Sequence, residues 1–324
     1  MFDCVYELGK SININSQKAL TVQILSDCNL RCCYCFARGS QESIHKRMSL
    51  DNIVYIANFC RANRIPQIRI TGGEPMLHPE ILEIIKLLNR SGIKIHIFSN
   101  FTVRNIVKTL PSGIDISFLA NVNMQETYEE VSYNTVLDNL AAATTKGYIV
   151  SLGCNIYTFP FDLQNHLQLA KRFKISRLRL SPTNQIMGEN NLVLTDHSLQ
   201  LWLSEFDTLY SEANAAGIQI SFDCPIPFCM IQKDKLQFMQ EKLNLKGICS
   251  FGERILPDMT IGHCYVTDKT ILREPIQTYR CYDELRRDIL RKVRTLKKPM
   301  EQCSLCEHFK NSRCDGGCLG NFAE

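Results

Sequence analysis

From residue 19 onward the chain alternates short apolar runs with longer stretches whose apolar positions recur at helical spacing. Residues 19–25, 67–70, 94–99, 115–121, 149–157 and 177–181 read as strands. Between them, Ser49 is placed to cap a helix reaching about residue 63, with Ile53, Ile56 and Ala57 on one face. Residues 78–88 read as a helix ending before Gly92, and further helices are expected around Ile106 and over 136–146 and 163–173. Six βα units in series imply an α/β fold with a parallel sheet and right-handed crossovers. The pattern alone fits an open doubly wound sheet as well as a curved, partial barrel. In either, ligands gather at the C-terminal ends of the strands. That rule nominates Ser99 with Asn100, Asn121, Asn123, Asn155, and Ser181 with Arg179.

Composition narrows the class. The 324 residues are 45% hydrophobic and 22% charged, which are globular values, and the length allows about two domains. The net charge of +4 is spread along the chain, so neither nucleic acid nor membrane is an expected partner. The densest basic stretch, Arg286, Arg287, Arg291, Lys292, Arg294, Lys297 and Lys298, is interleaved with Leu285, Ile289, Leu290 and Val293. That spacing reads as a solvated helix face, with an acidic patch on a partner as the alternative. No apolar stretch is long enough to span a membrane, and the N-terminus does not have the layout of a signal peptide. Sixteen cysteines in such a chain point to metal rather than disulfides, and to a cytoplasmic location.

The sharpest chemical signal is Cys28, Cys32 and Cys35, a C-x3-C-x2-C run. Three thiolates cannot complete a four-iron cluster, which takes four when fully protein-ligated, so one iron would keep open coordination sites for a small molecule. The plainer alternatives are buried filler cysteines and zinc, although structural zinc prefers four ligands. About forty residues downstream stands Thr71-Gly72-Gly73-Glu74-Pro75, directly after an apolar strand. Paired glycines let a backbone approach a ligand closely, and Glu74 could accept a charge-assisted bond from an ammonium group. An ordinary turn capped by Pro75 is the alternative.

These two motifs, in this order, resemble those of the radical SAM enzymes, with Tyr34 at the aromatic position of the cysteine loop and Gly72-Gly73-Glu74 as the GGE motif. The resemblance covers residues from about 19 to about 223. It implies a partial (β/α)6 TIM-like barrel and a [4Fe-4S] cluster at the triad. It also implies S-adenosylmethionine bound through its amino and carboxylate groups. Reductive cleavage to a 5′-deoxyadenosyl radical and hydrogen abstraction from a substrate would follow. An electron donor such as flavodoxin or ferredoxin is implied as well. Ser99 and Asn100 resemble the strand-end pair that contacts S-adenosylmethionine, with Phe101 where glycine often follows. Pro75, Asn155 and Arg179 complete the expected cofactor contacts.

A second cysteine group, Cys249, Cys264, Cys303, Cys306, Cys314 and Cys318, would read alone as a zinc ribbon. Its layout resembles the SPASM extension, which carries auxiliary [4Fe-4S] clusters, with Asp258-Met259 where that family usually has Asp-Gly. By position, Cys249, Cys264 and Cys318 would share one cluster and Cys303, Cys306 and Cys314 a second, each one ligand short. Cys229 is the first choice for the missing place in the first set, ahead of Cys224 and Cys281. The expected organisation is an N-terminal segment 1–18, the barrel 19–223 and a cysteine-rich iron–sulfur domain 224–324.

The resemblance implies modification of a peptide or protein side chain by crosslinking, thioether formation or oxidation. Modification of a sugar or other small molecule is the alternative within the family. An iron–sulfur electron carrier without catalysis, and an interaction protein with zinc-stabilised ends, are the alternatives outside it. No general base is assigned; Cys154, Tyr157 and Asp223 stand at or near strand ends.

Overall fold

A computed structural model of the chain describes residues 18–35, 37, 46–125, 128–186, 191–204, 206–249, 252–267, 273–296 and 300–319. The expected N-terminal segment, apart from Lys18, and Lys297 and Lys298 of the basic stretch lie outside these.

The six expected strands form as β1 (Ala19–Leu25), β2 (Gln67–Gly72), β3 (Lys94–Ser99), β4 (Ile116–Asn121), β5 (Ile149–Ile156) and β6 (Arg177–Pro182). Each pairs in parallel with the next, in registers such as Ile70 with Ile97 and Leu152 with Leu178. One face of the sheet carries Ile68, Ile70, Ile95, Ile97, Phe118, Leu178 and Leu180, all essentially without solvent exposure. Arg69, His96, Phe98, Ser117, Arg179 and Ser181 alternate with them and are only half-buried. This period-two pattern gives a greasy outer face under the helices and a wetter inner face.

The connecting helices are α1 (Leu50–Ala62), α2 (Ile81–Arg90), α3 (Ile106–Thr109), α4 (Glu130–Thr145) and α5 (Gln164–Arg172). Ser49 caps α1 as expected, its hydroxyl accepting from the Asn52 amide at 3.2 Å. The helix expected from residue 78 starts at Ile81 instead, because His78 is used as a turn pin. Its ring bonds the Met48 carbonyl at 3.0 Å and accepts from the Glu80 amide at 3.1 Å.

The sheet extends beyond the six expected units. After α6 (Asp196–Ser204) and α7 (Phe206–Ala215) comes β7 (Gln219–Phe222), a further parallel strand beside β6. Following α8 (Lys233–Leu243), the two-residue β8 (Arg254–Ile255) joins β1 in parallel, and β9 (Ile261–Gly262) pairs with it antiparallel. The order is β7-β6-β5-β4-β3-β2-β1-β8-β9, so residues from both sides of position 223 share one sheet. Helices α9 (Tyr282–Leu296) and α10 (Glu307–Lys310) complete the described elements.

The sheet is curved but not closed. Arg179 on β6 lies with its guanidinium 5.8 Å from the Phe98 ring centroid on β3. Those strands are three apart in the sheet, a spacing of about 14 Å if it were flat. Curvature brings the two side chains together, giving the partial barrel expected from the family resemblance rather than a flat doubly wound sheet.

Candidate functional site

Three loops meet at the C-terminal ends of β1, β2 and β3. The cysteine loop leaves β1, and its return segment pairs back on that strand through the Leu25–Arg47 bridge and the Met48 amide bond to Ile24 at 2.8 Å. The turn after β2 is bonded directly to this loop. The Gly73 amide donates to the Leu25 carbonyl at 2.9 Å and the Glu74 amide to the Asp27 carbonyl at 2.8 Å. A Cβ on Gly72 would stand 2.5 Å from the Leu25 carbonyl oxygen, and one on Gly73 only 2.2 Å from that of Asp27. The paired glycines are thus needed for close approach, as the sequence suggested. The partner in contact is the chain's own cysteine loop, however, and not only a ligand.

Glu74 is completely buried and joins the third loop to the other two. One carboxylate oxygen accepts from the Met76 amide at 3.0 Å and the Ser99 hydroxyl at 2.8 Å; the other accepts from the Asn100 amide at 2.6 Å. The Met76 bond caps a short 3-10 turn, Pro75–Leu77, so the plain turn reading of Pro75 also holds. Burial pushes the Glu74 carboxyl up to about 7 against the lowering effect of its three donors. Most of its acceptor capacity is spent inside the protein.

Asn100 carries the connection on to the cysteines. Its side-chain amide donates to Asn29 Oδ1 at 3.0 Å and approaches Cys28 Sγ at 3.8 Å, while its oxygen accepts from the Thr102 amide and hydroxyl at 2.9 and 2.6 Å. Phe101, where the family often has glycine, adopts φ +59 and is 1% exposed. Its ring meets Phe118 edge-on at 5.3 Å, and Asn139 holds the Phe101 and Val103 carbonyls at 2.8 and 2.9 Å. The left-handed conformation is therefore retained without glycine, anchored by the buried ring.

Burial first, then the nearby Glu74, Cys32 and Cys35, together push the Cys28 thiol up to about 12, against a bond from the Leu30 amide at 3.4 Å. Asn123, nominated from its strand end, donates to Cys32 Sγ at 3.5 Å. Tyr34 stacks on Tyr157 with centroids 4.7 Å apart, and its hydroxyl is bonded to Asn155 and Cys32. Asn155 thus contacts the cysteine loop. Asn121 packs across Gly153, where a Cβ would stand 2.4 Å from its side-chain oxygen.

The donor set suits an iron–sulfur cluster: soft sulfur ligands on one loop, with N–H groups aimed at two of the sulfurs. Among the described residues no three His, Cys, Asp or Glu side chains converge on one ion-sized point. A four-iron cluster gives each thiolate its own iron, so its donors stand around it rather than gather at one ion.

The inner face of the sheet adds charge that the strand-end rule only partly reveals. Arg179 pairs with Asp223, and Arg69 lies within their electrostatic reach. His96, bonded to the Ser117 hydroxyl at 2.8 Å, is pulled down to about 4 by burial and then by Arg179 and Arg69. Arg69 and His96 were not singled out in the sequence, although their polar spacing within apolar strands was the available signal. Of the strand-end residues considered as a base, Cys154 is buried in the core with its thiol pushed well up by burial, Tyr157 is stacked, and Asp223 is ion-paired.

Apart from Cys281, the C-terminal cysteines lie on three segments, around Cys224 and Cys229, around Cys249 and Cys264, and from Cys303 to Cys318. The exposed Cys229 has its thiol pushed up by burial and then by the neighbouring Cys314, Cys303 and Cys306. Cys224 is the one beside Cys264, and it accepts from the Ser181 hydroxyl at 3.6 Å. Cys281 sits at the opposite end of the sheet, next to Tyr282, whose amide bonds Asn63 at the end of α1. Cys249 and Cys318 are half-buried and buried, and Gly247 and Cys314 form a bridge between their two segments. Met259 takes φ +67 in its turn, again a left-handed residue that is not glycine.

Residues 22–170 match the family described as the Radical SAM superfamily. This segment is a radical SAM domain. A GTP 3′,8-cyclase of Clostridium perfringens is 37% identical over 73 residues, covering 22% of this chain and 23% of the cyclase. The chain thus matches about a quarter of that relative's length. The crystal structure of Streptococcus suis SuiB bound to precursor peptide SuiA superposes with a TM-score of 0.70 at 15% identity, covering 94% of this chain and 72% of SuiB. Native anSMEcpe with bound AdoMet and Cp18Cys peptide gives 0.64 at 16% identity, over 93% and 88%. At these identities the likeness is one of fold, and it extends well past the radical SAM domain into the C-terminal third. Among the described residues, no helix is long and apolar enough to cross a membrane.

Proposed function

We propose that the chain is a radical SAM enzyme acting on a peptide or protein side chain. The observation behind this reading is the continuous hydrogen-bonded unit running from Gly73 and Glu74 through Ser99 and Asn100 to Cys28. Motifs far apart in sequence are thereby held in fixed relation around three thiols.

Cys28, Cys32 and Cys35 would hold the [4Fe-4S] cluster, and Asn100 and Asn123 would donate to its ligand sulfurs, a contact that tunes reduction potential. When bound, cluster and S-adenosylmethionine together supply a radical able to abstract hydrogen. The chain's own part is positional. Glu74 fixes the turn beside the cluster loop, Tyr34 and Tyr157 wall one side, and the curved inner face offers Arg69 and Arg179 to a substrate. The C-terminal cysteines would hold auxiliary clusters in a SPASM-like extension.

A peptide substrate is favoured because the fold matches, over nearly the whole chain, two proteins whose structures contain peptides. A small anionic substrate is the second reading, supported by the two inner-face arginines and the partial identity to a GTP 3′,8-cyclase. Anaerobic reconstitution with S-adenosylmethionine and a reductant should yield 5′-deoxyadenosine, with product formation scored separately for peptide substrates and for GTP. Cys32→Ala should abolish cleavage while leaving the C-terminal iron in place. Continued cleavage by that variant would overturn the assignment of the triad.

A further inference from the structure

The geometry points to Cys229 as the fourth thiolate of the Cys303, Cys306 and Cys314 set, which closes a donor set that the order of cysteines along the chain leaves one short. This rests on the auxiliary-cluster part of the proposed function.

The placement follows from packing around a single glycine. Gly247 is bridged to Cys314, and its carbonyl accepts from the Asp315 amide at 3.0 Å. Where Gly247 would carry a Cβ, the Phe228 ring stands at 2.8 Å and the Arg313 carbonyl at 2.9 Å. The same Phe228 ring meets His308 edge-on, with centroids 5.2 Å apart. Phe228 is therefore wedged between the segment just after Cys306 and the residue just before Cys314. Cys229 follows it in the short turn Phe228–Met230.

The other three thiols are gathered by local backbone bonds. The Cys306 amide donates to the Cys303 carbonyl at 3.1 Å, and the Arg313 and Cys314 amides donate to the His308 carbonyl at 2.8 and 3.1 Å. These bonds fold residues 303–314 into one compact loop facing the Phe228–Met230 turn. Four soft donors suit an iron–sulfur cluster, around which the ligand sulfurs stand apart, better than a single zinc ion, since among the described residues no three donors converge on one ion-sized point.

The test uses the full chain with Cys28, Cys32 and Cys35 all replaced by Ala, so that only C-terminal metal is counted. Cys229→Ala, Cys303→Ala and Cys249→Ala are compared singly and in pairs. Iron, zinc and sulfide are measured per chain, with Mössbauer and electron paramagnetic resonance spectra of reconstituted protein. Far-UV circular dichroism checks folding, and Cys281→Ala serves as a control. Cys229→Ala should reproduce the loss or spectral change of Cys303→Ala, and the Cys229/Cys303 double variant should be no worse than either single one. Its effect should add to that of Cys249→Ala. Unchanged metal content and spectra in Cys229→Ala, or additivity with Cys303→Ala but not with Cys249→Ala, would overturn the assignment. If Cys229→Ser misfolds less than Cys229→Ala, it answers the same question. Zinc in place of iron would overturn the auxiliary-cluster reading while leaving the ligand set intact. Absence of 5′-deoxyadenosine from the intact chain would overturn the enzymatic reading alone.

Discussion

Phe101 offers a direct test of why the loop after β3 holds its shape without glycine. The residue combines φ +59 with a ring that is 1% exposed and packed edge-on against Phe118. The left-handed conformation costs an L-residue about 1–2 kcal/mol, whereas truncating a buried Phe costs about 3–5 kcal/mol. Burial wins, so the strain is tolerated. Phe101→Ala removes the ring and keeps the strain, and should destabilise the protein by about 3–5 kcal/mol. Phe101→Gly loses the same ring but relieves the strain. Glycine's extra chain entropy of about 0.5–1 kcal/mol only partly offsets that relief. The glycine variant should therefore be more stable than the alanine variant by up to about 1 kcal/mol, the reverse of their order at ordinary positions. Anaerobic urea unfolding followed by circular dichroism and by Trp202 fluorescence measures both, with coincident transitions as the check on two-state behaviour. If Phe101→Ala proved the more stable of the two, or if both lay within about 1 kcal/mol of the parent, the argument from strain and burial would fail.

Two further outcomes follow from the Gly73–Glu74 turn. Gly73→Ala should lower triad iron per chain, because its Cβ would stand 2.2 Å from a backbone oxygen of the cysteine loop and one of the two must move. Gly92→Ala, strained at φ +71 but with nothing within 4 Å of its Cβ, should leave iron content unchanged; equal iron loss in both variants would refute the close-approach account. For Glu74, a carboxyl raised by burial from 4.5 to about 7 means that the folded state keeps a proton the unfolded chain has released. Its contribution to stability therefore falls as pH rises through that window, by about 3 kcal/mol at most. The stability difference between the parent and Glu74→Gln should shrink by that amount from pH 5 to pH 8 in urea unfolding, and a pH-independent difference would contradict the shift.

The motifs at 28–35, 71–75 and 99–100 were legible because each is short and its chemistry is local. The six strands were legible because their apolar residues are consecutive or alternate within the run. The four-residue β7 and two-residue β8 lack that signal: too few positions exist to establish a period, and the sheet itself supplies the order. The Phe228 contacts with Gly247 and His308 were hidden for a different reason, since they are long-range packing that no spacing encodes.

Phe101 and Met259 show what such motifs constrain. At both, the resemblance leads one to expect glycine, and at both this chain keeps the left-handed backbone with a larger side chain. Each side chain is then buried, Met259 at 5% exposure in a turn closed by its amide bond to Leu256 at 2.9 Å and by the Ile276 amide at 2.9 Å on its own carbonyl. An unbranched Met adapts to an irregular gap, and an aromatic ring buries enough surface to outweigh about 1–2 kcal/mol of strain. The constraint therefore acts on φ rather than on residue identity. Glycine satisfies it at no steric cost in any surroundings, while Phe or Met satisfies it only where the fold provides a matching pocket. A missing motif glycine is consequently weak evidence against a site when the replacing residue is large, apolar and next to a packed core.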